Sequence, residues 1–136
     1  MIDKSLLSDL EYRITGACIE VHKSLGPGLL ESVYQKCLCR EFELQEINFS
    51  TEQVLKIYYK GSELDTDLRA DFYVENCIVV ELKAVEKILP IHEAQLISYM
   101  KMLEAPKGLL INFNCINIIQ AGKKSFVNDL YRYLSD

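Results

Sequence analysis

The chain has 136 residues, 49% of them hydrophobic, and a formal net charge of −5. That length predicts one domain over residues 1–136, large enough to bury roughly 70% of its unfolded surface. The acidic balance argues against a protein whose main task is to wrap nucleic acid electrostatically, since phosphate binding needs a positive surface.

The chain opens Met1-Ile2-Asp3-Lys4 and has only a two-leucine apolar run nearby, so no signal peptide is expected. No later stretch approaches a membrane span. Ser5 or Asp9 is a candidate N-cap for a first helix. Ile14, Cys18, Val21 and Leu25 recur at helical spacing, with Ala17 beside them. Gly26 suits a helix C-terminus and Pro27 prevents continuation. His22, near the end of this helix, is placed to cap carbonyls or to pack. A second helix is predicted from Gly28 or Leu29, with Leu30, Val33, Cys37, Leu38 and Phe42 as its apolar stripe. Glu31 falls in its first turn, where the helix dipole favours a carboxylate, and Tyr34 lies on the same side. Cysteines 18, 37, 39, 77 and 115 are an odd count without a Cys-x-x-Cys pair, which predicts reduced thiols in a cytoplasmic protein. Cys37 and Cys39 point to opposite sides of a helix, which argues against a zinc pair.

Gln53 to Tyr59 reads as a strand, and Gly61-Ser62 as a two-residue hairpin turn that pairs Tyr59 with Leu64, Ile57 with Thr66 and Leu55 with Leu68. Arg69 to Val74 and Ile78 to Lys83 both alternate with period two around a polar break, Glu75-Asn76-Cys77. A three-residue loop pairs Val74 with Ile78, Phe72 with Val80, Ala70 with Leu82 and Leu68 with Ala84, all apolar. A slip of one residue would mix the faces. Residues 53–84 therefore read as a three-stranded antiparallel meander, apolar on one side and needing a helix to cover it. On the other face Asp71 comes opposite Glu81, and Arg69 opposite Lys83. Opposed Cβ atoms lie roughly 5 Å apart, and two carboxylates there repel by about 3 kcal/mol at an effective dielectric near 20. A proton, a cation or a metal must offset that. Diagonal ion pairs within the patch Arg69, Asp71, Glu81, Lys83 would suffice; equally, oxygen-rich carboxylate sites suit Mg²⁺ or Mn²⁺.

Pro90 fits the first turn of a helix running to about Leu103. Its run Ile91-His92-Glu93-Ala94-Gln95 lacks the second histidine of a zinc protease helix, since Leu96 stands there. Leu96, Met100 and Leu103 suit a core stripe. Gln95 and Tyr99 form an i, i+4 pair on another side, which without further context is a surface pair. Leu109 to Phe113 reads as a strand buried on both faces, parallel to strand 78–84 because a helix lies between them. Ile116 to Gln120 reads as a further strand and Lys123-Lys124 as solvated, and Phe126, Leu130, Tyr131 and Leu134 suggest a closing helix. Lys56, Lys60, Lys87, Lys101, Lys107, Lys123 and Lys124 are candidates for a local basic rim.

Asp71 followed by Glu81-Leu82-Lys83 after a hairpin resembles the Asp…Glu-x-Lys core of the PD-(D/E)XK nuclease superfamily. Gly28-Leu29-Leu30-Glu31-Ser32-Val33-Tyr34 is similar to the motif that names the GxxExxY family, and Gln95 with Tyr99 resembles the Gln-x-x-x-Tyr motif of RecB-like nucleases. The likeness runs from about Ile14 to Asn114, with the motifs in order; Ala70 stands where the superfamily has proline. It implies an α/β restriction-endonuclease-like core, α-α-β-β-β-α-β with a mixed sheet flanked by helices. It also implies metal-dependent hydrolysis of nucleic-acid phosphodiesters, DNA more than RNA. In that reading Asp71, Glu81 and Glu31 hold Mg²⁺ or Mn²⁺, Glu31 directly or through water, with the Val80 or Leu82 carbonyl as a further ligand. Lys83 orients or deprotonates the attacking water, and Gln95 steers that water or a phosphate. His22, Tyr34, Tyr99 and Arg69 contact substrate. Two rivals keep the fold: a module that binds nucleic acid or protein without cutting, and a homodimer whose charged face is an interface.

Overall fold

The computed structural model describes all 136 residues, Met1–Asp136. The elements are α1 (Lys4–Leu25), α2 (Glu31–Leu44), β1 (Phe49–Tyr59), β2 (Ser62–Val74), β3 (Ile78–Lys83), α3 (Pro90–Leu103), β4 (Lys107–Asn112), a π-helical turn (Ile118–Gly122), β5 (Lys123–Val127) and α4 (Asp129–Arg132). One mixed sheet runs in the order β1-β2-β3-β4-β5. β3 and β4 are parallel, joined by the α3 crossover, and all other neighbours are antiparallel. The α/β architecture is the expected one. No helix is long and apolar enough to cross a membrane. All five cysteines are free.

The N-cap of α1 is Asp3, whose carboxylate accepts from the Leu6 N–H at 2.7 Å, in place of Ser5 or Asp9. Leu7 and Leu10 extend the buried stripe toward the N-terminus and carry the helix start back with them. At the other end Gly26 turns left-handed, φ +69°, and its N–H donates to the His22 carbonyl. α2 starts later than predicted, at Glu31, because Gly28 (φ +100°) and extended Leu30 keep the preceding chain out of the helix. Its buried stripe is Tyr34, Leu38 and Phe42, whereas Leu30 is exposed and Val33 and Cys37 are only half-buried.

The first hairpin turns at Lys60-Gly61, with φ +48° and +83°, so that Tyr59 faces Ser62 and Ile57 faces Leu64. Two consecutive positive φ angles suit the right-handed twist of the strands, as the predicted Gly-first turn one residue later also would. An irregularity between Val54 and Lys56 then restores the expected register, with Gln53 facing Ala70. The second hairpin has the predicted register, Val74 with Ile78 and Phe72 with Val80. Its loop is held by Glu75 and Asn76 at φ +51° and +53°. The pairing stops there: Ala70 does not face Leu82, nor Leu68 Ala84.

Helices cover both sides of the sheet. α1 and α2 bury Phe72, Val74, Ile78, Val80, Leu82, Leu109 and Ile111. On the opposite side Leu96, Tyr99 and Met100 of α3 bury Val79 and Leu110, together with Leu55 and Ala70. Ala70 thus leaves the face of Phe72, against the one-sided meander expected. The change coincides with a bend: Glu52 takes φ +52°, and the β1–β2 pairing skips Glu52 and Asp71. β4 is buried along its whole length, as a central strand covered on both faces should be. Gly108 is the close-packing point against α3, since an added Cβ would lie 2.6 Å from Met100 Sδ and 3.0 Å from Leu96 Cδ1. Gly108→Ala is expected to destabilise the fold by about 1–3 kcal/mol through overpacking. Urea denaturation should show it as a lower midpoint.

Past β4 the predicted strand 116–120 is instead a loop and the π-helical turn, and the closing helix is limited to Asp129–Arg132, with Phe126 in β5. Four of the seven lysines named for a basic rim are bound to acids. Lys107 and Lys123 both bind Glu11 (2.6 and 2.9 Å), Lys124 binds Glu93 and Lys56 binds Glu63. The Glu11 cluster fastens α1 to β4 and β5, so Lys123 is not simply solvated.

Candidate active site

Beyond Phe72–Val80 the next residues to pair would be Asp71 and Glu81, and there β2 and β3 fork apart. β3 stays with β4 down to Lys83–Asn112, while β2 follows β1. In the fork the two carboxylates take over the ladder. The Asp71 N–H donates to Glu81 Oε2 at 2.6 Å, and the Leu82 N–H donates to Asp71 Oδ2 at 2.8 Å. Asp71 Oδ1 and Glu81 Oε1 take no part in these bonds. Because no buried side-chain oxygen lacks a partner, those two face outward.

The electrostatics are severe. Glu81 is 4% exposed, and burial, then the Asp71 charge, push its pKa up to about 8 against the hydrogen bond and Lys83 that lower it. Burial raises Asp71 to about 6; the Leu82 N–H and Lys83 oppose this, while Glu31 and Glu52 add to it. No Lys or Arg forms an ion pair with either acid. Neutralisation by diagonal ion pairs is therefore not what the strands do. Exposed Arg69 faces Val54 of β1.

Lys83 ends β3 on the α3 side. Its Nζ lies 3.5 Å from Gln95 Oε1, and Gln95 Nε2 donates to Tyr99 Oη at 2.9 Å. The Gln95–Tyr99 pair thus faces the sheet and is not a surface pair. Burial raises the Tyr99 hydroxyl pKa, with Glu81 and Asp71 adding to the rise. Glu31, at the first residue of α2, acts on both acids through its field.

Two expected substrate contacts lie elsewhere. Tyr34 is fully buried, stacked on Phe113 at 4.5 Å, with its hydroxyl donating to Gly26 O (2.6 Å) and accepting from Leu29 N–H (3.2 Å). It fastens the loop that delivers Glu31 and offers no surface to a substrate. Tyr34→Phe should cost about 1–2 kcal/mol in thermal or urea unfolding, by orphaning that carbonyl. His22 Nε2 is 2.8 Å from the Cys115 carbonyl, so this nitrogen carries the proton. His92, where a zinc helix was rejected, accepts from the Leu89 N–H and caps α3. A cleft of 540 Å³ between the hairpin and α3, lined by Lys56, Tyr58 and Lys101 among others, does not include the acids.

Sequence reasoning missed Glu52, whose carboxylate accepts from Gln35 Nε2 at 2.8 Å and whose charge reaches Asp71. Its left-handed φ, unusual for a non-glycine residue, had no sequence signal. Asn112, buried at the end of β4, was missed as well.

The model of the PD-(D/E)XK nuclease superfamily matches residues 8–125. The chain belongs to the PD-(D/E)XK nuclease superfamily. Nucleases of this superfamily generally use divalent metal ions and act on nucleic acid. The solved structure of SSO0001 is similar in fold, with 23% sequence identity and a TM-score of 0.50, over 74% of this chain and 54% of that one. The chain therefore spans about half the length of that structure, and the likeness, a restriction-endonuclease-like α/β fold, concerns the fold alone. A search of curated proteins gave no match.

Proposed function

We propose that this PD-(D/E)XK protein is a Mg²⁺- or Mn²⁺-dependent nuclease that hydrolyses nucleic-acid phosphodiesters, in the GxxExxY group with RecB-like motifs. The observation that carries the reading is the pair Asp71–Glu81: Asp71 half-buried and Glu81 buried, mutually repelling, paired with no cation, each with one oxygen turned outward. A divalent ion fits that donor set, because hard carboxylate oxygens suit it and its charge removes the repulsion. Asp71 and Glu81 are the ligands, with Glu31 reaching the ion through water. Bound there, a divalent ion supplies a polarised phosphate and an acidified water. Lys83 orients the attacking water and stabilises negative charge developing on the phosphoryl oxygens. Gln95, held by Tyr99, sets the position of the Lys83 amine. Arg69, exposed on the same strand as Asp71, contacts the substrate backbone. DNA over RNA rests on the resemblance to RecB-like nucleases alone. Residues 1–136 act as one domain, and the free thiols support a cytoplasmic setting.

The test incubates labelled DNA and RNA with the protein and Mg²⁺ or Mn²⁺, beside calorimetry with Mn²⁺. Cleavage of DNA that chelator abolishes supports the proposal. A second reading is favoured by the net charge of −5 and by the lysines committed to Glu11, Glu63 and Glu93: a module that binds without cutting. Nucleic-acid binding with no Mn²⁺ affinity and no cleavage would establish it instead.

A further inference from the structure

Asn112 stands beside Lys83 in the parallel β3–β4 register, at the last position of both strands. It is 5% exposed, and both its amide nitrogen and its amide oxygen are hydrogen-bonded. Nδ2 donates to the Val85 carbonyl at 2.9 Å, while Oδ1 accepts from the Val85 N–H at 3.1 Å and from the Asn114 N–H at 3.2 Å. The two bonds to Val85 imitate a ladder pair where the β3–β4 ladder has ended. The Lys83 carbonyl accepts from the Phe113 N–H at 2.9 Å. Lys83 is thus fixed on its C-terminal side by one backbone bond to Phe113 and, two residues on, by the Asn112 side chain. Without that clamp the chain after β3 has few constraints, because residues 84–89 form neither helix nor strand.

We propose that Asn112 is a positioning residue for Lys83: by holding both backbone groups of Val85 it fixes the direction in which the Lys83 amine leaves the strand, toward Gln95 and the acids. A buried amide that bonds both backbone groups of one neighbouring residue is a specific device; an apolar residue would fill the space equally well but leave the Val85 N–H and C=O without partners. The catalytic meaning of the clamp rests on the proposed role of Lys83, whereas its mechanical meaning does not.

The experiment compares wild type, Asn112→Ala and Asn112→Asp in the full chain. It measures amide hydrogen exchange at Val85, NMR order of the Lys83 side chain, Mn²⁺ affinity, and steady-state cleavage of DNA. For Asn112→Ala the expected result is exchange at Val85 faster by about tenfold or more, a less ordered Lys83, and a kcat lower on the order of tenfold with KM and Mn²⁺ affinity kept within about twofold. Asn112→Asp keeps the acceptor and loses the donor, so it should fall between. It also serves if the alanine variant fails to fold. Folded variants with wild-type exchange at Val85 and wild-type order at Lys83 would overturn the proposal, as would an unchanged kcat in an active protein. If wild type cuts nothing, the nuclease reading fails, and Lys83 order alone decides whether the clamp exists.

Discussion

Lys83→Ala is expected to lower metal-dependent cleavage by about a thousandfold or more while leaving Mn²⁺ affinity nearly unchanged. Glu81→Ala and Asp71→Ala should lose both cleavage and metal affinity. The division follows from position. Lys83 makes no ion pair with either acid and leans on Gln95, so removing it takes away the cation that serves the attacking water and keeps both ligands. Removing Glu81 leaves Asp71 one carboxylate and frees the Asp71 N–H that Glu81 had bound at 2.6 Å. Each loss is measurable with single-turnover cleavage and Mn²⁺ titration on the same preparations. Equal cleavage by wild type and Lys83→Ala would remove the lysine from the chemistry. Metal affinity lost in Lys83→Ala would mean that the lysine supports the site's structure.

Without metal, the protein should become less stable as pH rises from about 4 to 8. The pKa of Glu81 rises from an ordinary value of 4.5 to about 8, and that of Asp71 from 3.8 to about 6, burial being the main cause for each. The folded chain therefore holds more protons than the unfolded chain throughout that window, and stability falls wherever this is so. Below the ordinary values both states are protonated and no penalty exists; above pH 8 the penalty is complete. The fall should amount to several kcal/mol, visible as a melting point lower by about 10 °C or more. Glu81→Gln should flatten most of the dependence and raise the stability of the metal-free protein at pH 8. Mn²⁺ should stabilise wild type far more at pH 8 than at pH 5, because a cation can bind only the ionised acids. Metal-free stability that rises with pH across this range would show that the fork is solvated and its acids ordinary.

Much of this site was legible because strand alternation is a rigid rule. The apolar faces of 69–74 and 78–83 admit one register, so the acids had to meet, and the lysine followed two residues on. Parallel β3 and β4 follow from a helix between two apolar runs, and the end of α1 from Gly26-Pro27. What stayed hidden depends on contacts remote in sequence. Opposed acids signal repulsion, but not that each would answer it by accepting the other strand's N–H and opening the sheet. Tyr34 reads as a substrate contact beside Glu31 until Phe113, far along the chain, stacks on it. Lys123 reads as solvated, and Lys107 as part of a basic rim, until Glu11 of α1 is seen between them. The Lys60-Gly61 turn differs from Gly61-Ser62 by one residue, a shift that the irregularity at Val54–Lys56 absorbs. Glu52 carries its left-handed φ in a sequence with no glycine to announce it.

The most direct measurement is a crystal grown in Mn²⁺, with anomalous scattering recorded at the manganese edge. The account predicts one strong peak in the fork, about 2 Å from Asp71 Oδ1 and Glu81 Oε1, with water between it and Glu31 and the Lys83 amine nearby. An empty fork whose acids keep only their backbone hydrogen bonds, or manganese bound at another place on the molecule, would contradict it.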